Sequence, residues 1–244
     1  MKMPDDRIVV IHQPDFMPYL GFFDRLLKAD VYVVLDNVQF VHSNRGWTNR
    51  DKIRTASGAK WITVSTRKAP RDTMISEVLL SDDTSWRKDN LNLIRENYRH
   101  SPYFDKIMPY VDDLYQFSGT KLMDFNLASI RMMMNLFEIS IPIIFAGKLN
   151  PIGKKNELII DIVKKLGCHR YLSGVGAKDY CIPEMYHQAG IELIWQEFRH
   201  PIYPQQYDGF IPYLSSIDML FNCGIENSRK IIRGQGVSLY DMGQ

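Results

Sequence analysis

The chain has 244 residues, 45% of them apolar, and its 30 basic against 28 acidic side chains leave a formal charge of +2. Such a length lies near the upper end for one domain and is ample for a sizeable core. The balanced charge offers no basic stripe of the kind nucleic acid requires, and no apolar run approaches the roughly 18–20 residues that cross a bilayer.

The opening stretch, Met1 to Arg7, is polar and leads into a short apolar run rather than a signal-peptide core. Cys168, Cys181 and Cys223 are odd in number, widely spaced and form no Cys-x-x-Cys pair. Buried thiols in a reducing compartment account for that pattern, with a nucleophilic Cys223 as the alternative, so the expected location is cytoplasmic. The Met132-Met133-Met134 run falls in a helical pattern and reads as core filling.

Ile8 to Ile11 reads as a buried strand, closed by His12-Gln13-Pro14. Pro14 and Pro18 keep the next segment out of regular helix until about Tyr19. Leu20, Phe23, Leu26 and Leu27 then recur at helical spacing, and Val31 to Leu35 is a second β-branched run. Strand, helix, strand in that order is a parallel crossover unit, which predicts an open α/β sheet.

Trp61 to Val64 reads as a strand and Ser76 to Leu80 as another, with an exposed turn at Lys68 to Asp72 between them. Helices are predicted over 85–100, 103–117 and 119–137, a helical insertion around 85–137. Pro142 to Phe145 is a strand, and an amphipathic helix runs from Pro151-Ile152-Gly153 through Leu166. A short strand at Tyr171 to Gly174, a helix at Ile182 to Ala189 stopped by Gly190, a strand at Ile191 to Phe198 and a last helix over 215–221 complete the chain. No repeat, low-complexity tract or linker interrupts it. The fold class expected is a Rossmann-like open, mainly parallel α/β sheet flanked by helices, with 1–244 as a single domain.

In open α/β sheets ligands bind beyond the carboxyl ends of the strands. That rule singles out the loops 12–20, 36–50 and 173–180, where polar and aromatic side chains also concentrate. His12 is a candidate acid or base near neutral pH, or simply a cap on its strand, and Gln13 both donates and accepts hydrogen bonds.

Asp36, at the end of the second strand with Gln39 close behind, would be costly there unless paired. An amine, a metal, a sugar hydroxyl or a salt bridge to Arg50 would each serve. Arg45, Trp47, Asn49 and Arg50 form the densest basic and aromatic stretch; guanidinium forks suit phosphate or carboxylate, and Trp47 can stack on a ligand ring.

Ser173-Gly174 to Lys178 is a Gly-bearing turn able to offer backbone N–H groups to an anion. It lacks both the full phosphate loop and the Gly-x-Gly-x-x-Gly fingerprint. Near the carboxyl end, Gln205 follows Tyr203-Pro204, Ser215 suits a helix cap, and Asp218, Phe221 and Asn222 share one helical face. Asp218 there reads as a buried polar residue with partners or as a ligand contact. No His-Glu-x-x-His, clustered Cys/His or Gly-x-Ser-x-Gly occurs, so the usual zinc- and serine-hydrolase patterns are missing.

Taken together, these motifs resemble the WbqC-like family. The matching elements are His12-Gln13-Pro14 with Pro18-Tyr19-Leu20-Gly21, Leu35 to Phe40, Trp47-Thr48-Asn49-Arg50 with Ile53, Lys60 to Val64, Tyr171 to Gly174, Tyr203-Pro204-Gln205 and Ser215 to Gly224. They follow in order along nearly the whole chain. The resemblance implies a bacterial protein of O-antigen (lipopolysaccharide) or other surface-polysaccharide biosynthesis, with transfer of glycine or another aminoacyl group as the proposed activity.

The opening segment is also similar to that of pantothenate synthetase-like adenylating ligases, which make an amide through an acyl-adenylate. Position 22 is Phe where that superfamily carries a second histidine, so this likeness implies the fold rather than the mechanism.

The expected function is thus an acyl or aminoacyl transferase, or an amide-forming ligase, acting on a nucleotide-linked amino sugar. His12 would take the proton of the attacking amine, and Asp36 with Gln39 would orient that amine. Arg45 and Arg50 would hold phosphate, and Trp47 would stack. Gln13, Tyr19, Asn49, Ser173, Lys178, Gln205, Asp218 and Asn222 complete the candidate ligand contacts. The donor would be made with ATP or carried as an acyl thioester. No metal, nucleic-acid or membrane partner is expected. A non-catalytic nucleotide-sugar-binding protein of the same pathway is the alternative, and a metal enzyme using His12 and Asp36 a third reading.

Overall fold

The computed structural model describes residues 6–41 and 46–235. In chain order they form β1 (Ile8–His12), α1 (Leu20–Leu27), β2 (Val31–Val34), β3 (Arg50–Thr55), β4 (Gly58–Thr63), α2 (Ser85–Tyr98), α3 (Phe104–Tyr115) and α4 (Leu122–Leu136). There follow β5 (Ile143–Phe145), α5 (Asn156–Lys165), β6 (Arg170–Ser173), α6 (Pro183–Gln188), β7 (Glu192–Trp195) and α7 (Ile217–Ile232). They gather into two compact units. One holds the chain through Gln13, Asp24–Val38 and Ser140–Arg199; the other holds Pro14–Phe23, Gln39–Ile139 and the chain from His200 onward.

The first unit is a five-stranded parallel sheet in the order β5-β2-β1-β6-β7. Its central strands are apolar on both faces, as a sheet covered on both sides demands: Val9, Val10 and Ile11 are buried, and so is every residue of β2. One face carries Val9, Ile11, Val31, Val33 and Tyr171 against Leu158 and Ile162 of α5 and Tyr186 of α6. Asn156, at the first turn of α5, donates to the Tyr180 carbonyl (3.1 Å) and accepts from the Ile182 N–H and the Tyr186 hydroxyl, both at 3.3 Å. That side chain fixes the segment leading into α6.

From the central β1 the chain steps outward through β2 to β5, then returns to lay β6 on the opposite side of β1 and β7 beyond it. The strand order therefore reverses between β1 and β6. This is the Rossmann-like open sheet that the crossover pattern predicts.

The second unit packs α2, α3, α4 and α7 with the antiparallel hairpin β3–β4. Trp86, Tyr115 and Phe117 meet Phe125 edge-on at 5.5–5.7 Å, and Phe16 stacks on it at 5.7 Å. The loop entering this unit holds Met17 at φ 43°, an uncommon backbone setting for a side-chain-bearing residue. Its N–H is taken by the Ser129 hydroxyl at 3.1 Å, and Asn126 donates to the Pro14 carbonyl (2.7 Å) and the Thr48 carbonyl (2.5 Å).

The three helices expected over 85–137 are present. Three local expectations are corrected. Ser76 to Leu80 is no strand but a 3-10 turn at Ile75–Glu77 followed by isolated bridges, because its partners, Thr66 and Lys121, each offer one bridge rather than a ladder. Arg50, read as the end of a loop, begins β3; tertiary pairing with β4 overrides the poor strand propensity of Arg-Asp-Lys. The last helix extends to Ile232, with a kink at Gly224, where φ is 75°.

A Cβ on Gly224 would lie 2.6 Å from the Tyr103 ring. Gly224→Ala is therefore expected to destabilise the protein by roughly 1–3 kcal/mol, read as a lowered midpoint in urea denaturation.

Candidate site at the carboxyl edge of the sheet

His12 is the last residue of β1, at the edge where the strand order reverses. Its Nδ1 lies 2.9 Å from the Gln13 carbonyl oxygen. A carbonyl can only accept, so Nδ1 carries the proton in the neutral ring and Nε2 is the basic nitrogen. Burial above all, and then the positive charge of Arg25, push this imidazole down to about 3, against the opposing pull of the Gln13 hydrogen bond. The ring is neutral throughout the physiological range.

Arg25 is a buried cation on α1. Beside it runs the turn after β6, where Gly174 permits the approach: a methyl group there would stand 3.0 Å from Arg25 Nη1. Ser173, almost fully buried, shares a side-chain hydrogen bond with Tyr171, whose phenol is raised by burial. Lys178, past the 3-10 turn at Val175–Ala177, holds its ammonium 5.5 Å from the Trp195 ring.

Asp36 follows β2 and accepts the Gly147 N–H at 2.8 Å, tying the end of β2 to the turn after β5. On the far side, Gln196 donates its N–H to the Ser173 carbonyl (2.8 Å) and its side-chain amide to Asp24 (2.7 Å); Lys28 also reaches Asp24 at 2.9 Å. One edge thus gathers five of the expected residues, His12, Gln13, Asp36, Ser173 and Lys178. It adds three that the sequence reading missed: Asp24, Arg25 and Gln196. The signal for two of them lay in Phe22-Phe23-Asp24-Arg25-Leu26-Leu27, where two charges interrupt an apolar helix.

The other expected residues belong to the second unit, except that Arg45 lies outside the described residues. Gln39 donates its side-chain amide to the Arg71 carbonyl, and Asn49 donates to the Val64 carbonyl at 3.0 Å. Tyr19 bridges to Ser215 through its backbone, with its ring 6.0 Å from that of Tyr213. Trp47 and Arg50 stand at the β3–β4 hairpin, where Arg50 donates to the Gly46 carbonyl (3.1 Å).

Gln205 and Asp218 meet in a buried network. The Asp218 carboxylate accepts from the Tyr98 hydroxyl (2.7 Å), the Tyr203 hydroxyl (2.9 Å) and the Gln205 amide (2.8 Å). Asn222 donates to the Asp218 backbone carbonyl at 2.7 Å. All three cysteines are reduced thiols, and burial together with Asp218 pushes Cys223 up to about 12, the opposite of what a nucleophile needs. Among the described residues no three His, Cys, Asp or Glu side chains converge on a metal position, and no helix is long and apolar enough to cross a membrane.

A parallel open sheet with polar side chains gathered past its switch point defines a Rossmann-like α/β protein with a ligand-type edge. The chain belongs to the WbqC-like protein family, which it matches over residues 13–230. It is also 26% identical over 220 residues to the uncharacterized protein Rv1507c of Mycobacterium tuberculosis, an alignment covering 89% of this chain and 94% of that one. No solved structure matches it significantly.

Proposed function

We propose that the chain is an acyl or aminoacyl transferase, or an amide-forming ligase, whose acceptor is the amine of a nucleotide-linked sugar destined for surface polysaccharide. The observation that carries this reading is His12: a neutral imidazole of fixed tautomer, at the switch point of an open parallel sheet, with a buried guanidinium beside it. The family resemblance supplies the polysaccharide context, and that context brings a cytoplasmic location with it.

In the proposed step the amine nitrogen attacks the carbonyl carbon of an activated acyl group, an acyl thioester or an acyl-adenylate. A C–N bond forms, the bond from carbon to sulfur or to phosphate oxygen breaks, and His12 Nε2 takes the proton the nitrogen sheds. The electron pair leaves with the thiolate or phosphate.

A ring held at about 3 is a poor base by itself. Bound phosphate changes that, because an anion beside Arg25 offsets the charge that depresses the ring. Ligand binding and base strength are then coupled through Arg25. Gln13, Ser173 and Lys178 would hold the ligand past the strand ends, and Asp36, with one oxygen spent on Gly147, would orient the amine with the other.

Turnover assays with nucleotide-linked amino sugars and glycyl or acetyl donors test the reading. His12→Asn is expected to lower kcat by about a hundredfold or more, with Asp36→Ala raising KM for the amine. Full turnover in both variants would remove the acid–base assignment. Tight binding of the nucleotide-sugar by a wild type that turns over with no donor would favour the non-catalytic binding protein instead.

A further inference from the structure

We propose that the exposed face of the β3–β4 hairpin is a clamp for a nucleoside phosphate, with Trp47 as the platform for the base and Lys52 as the ligand of the phosphate. The hairpin register places Arg50, Lys52 and Trp61 on the face opposite Asp51. Arg50 pairs with Thr63 and Lys52 with Trp61 on one face, while Asp51 pairs with Ile62. Asp51, Ile53 and Ile62 are buried, and Asp51 is the sole acidic residue between positions 50 and 63. Period-two alternation has therefore placed Asp51 inside and left Arg50, Lys52 and Trp61 on the other face, where Arg54, further along, is buried and donates to the Asp208 and Gly209 carbonyls.

The outer group has internal order. Arg50 lies 4.1 Å over the Trp61 ring and Lys52 4.8 Å from it, so Trp61 is the support on which both cations rest. Trp47 stands 5.1 Å from Trp61, tilted by 53°, and is 47% exposed. Lys52 forms no salt bridge among the described residues, and its ammonium is 5.7 Å from the Trp47 ring.

A half-exposed indole beside a cation that forms no salt bridge among the described residues suits a ligand that is flat at one end and anionic at the other. The Lys52 ammonium, 5.7 Å from the Trp47 ring, puts a cation within reach of a ligand seated on that indole. A sugar acid offers no aromatic face to stack on the indole and carries only a single carboxylate charge. Base stacking on aromatic side chains tolerates every base, so phosphate, rather than base identity, should dominate selection.

Fluorescence titration of the full chain with UDP and, in parallel, ADP tests the clamp, with uridine and glucuronate as controls. Saturable quenching by at least one diphosphate is expected, with uridine and glucuronate each weaker by tenfold or more. Trp47→Ala, a change at an exposed position, should weaken the diphosphate at least about fivefold. Lys52→Met should weaken the diphosphate while leaving uridine unchanged, and should flatten the dependence on salt. Circular dichroism matching the wild type keeps each comparison one of folded proteins, and calorimetry replaces quenching for the Trp47 variant.

Unchanged diphosphate affinity in Trp47→Ala overturns the clamp, as does glucuronate competing as well as UDP, or no binding of either diphosphate. Affinity does not depend on turnover, so this outcome separates from the transferase reading. Trp47-dependent binding without amide formation leaves the clamp standing and the transfer role refuted. Turnover by a wild type that binds neither diphosphate does the reverse.

Discussion

Asp218→Ala is expected to lower the stability of the protein by roughly 3–5 kcal/mol, the range for stripping the acceptor from a buried polar cluster. The carboxylate is fully buried and accepts three hydrogen bonds, from Tyr98, Tyr203 and Gln205. Tyr98 is itself committed on its other side, since its oxygen accepts the Arg54 N–H at 2.9 Å, and its ring stacks on Phe221 with centroids 4.6 Å apart. Truncation at 218 therefore orphans the two buried tyrosine hydroxyls, removes one of the two acceptors of the half-buried Gln205 amide, and loosens the contact of α7 with its neighbours. Asp218→Asn keeps the volume and one acceptor, and should cost less than Ala.

The same residue carries a pH signature. Burial raises its carboxyl above the ordinary value, against the three hydrogen bonds and the charge of Arg54. A raised folded value means the folded protein holds the proton more tightly than the unfolded chain. Its contribution is full below the unfolded carboxylate pKa, near ~3.9, and declines as pH rises through the folded value. Urea denaturation between acid and neutral pH should show that decline in the wild type and a flatter profile in Asp218→Asn.

His12 is expected to act in the opposite sense. Its folded value, about 3, lies below the unfolded histidine value of 6.5, so the unfolded chain binds the proton first. The stability linked to His12 is present above 6.5 and is lost as pH falls toward 3. His12→Asn retains a donor for the Gln13 carbonyl but cannot titrate, and should flatten the acid limb of the stability profile.

Nitrogen NMR of the labelled ring gives the direct reading: a neutral Nδ1–H tautomer that persists well below pH 6. A ring titrating near 6.5 would show that burial and Arg25 do not depress it. Addition of a phosphate ester that engages Arg25 should move the transition upward, which links this measurement to the proposed chemistry.

Much of the first unit was legible because its two central strands, β1 and β2, are continuous β-branched and aromatic runs. Val9 to Ile11 and Val31 to Val34 admit little besides buried parallel strands, and the helix between them declares the crossover. The polar caps of those strands, His12 and Asp36, were legible for the same reason: a charged or titratable residue directly after such a run sits at a strand end.

Arg25 was not legible as a site residue, since an arginine in a short amphipathic helix ordinarily faces water. Only the tertiary placement of Gly174 and Tyr171 brings it to the edge. Likewise β3, with its Arg-Asp-Lys start, has no strand signal of its own, and becomes a strand because β4 satisfies its backbone.

The sequence by itself determined the open parallel sheet, its helical insertion and the family, because apolar periodicity and ordered motifs are local properties of the chain. The tertiary structure alone decided what each polar residue meets. It set the carboxylate of Asp218 among three donors and the indole of Trp47 beside Lys52. It also stripped His12 of its ordinary basicity, because desolvation and the field of a neighbouring cation arise only when distant segments close around a side chain.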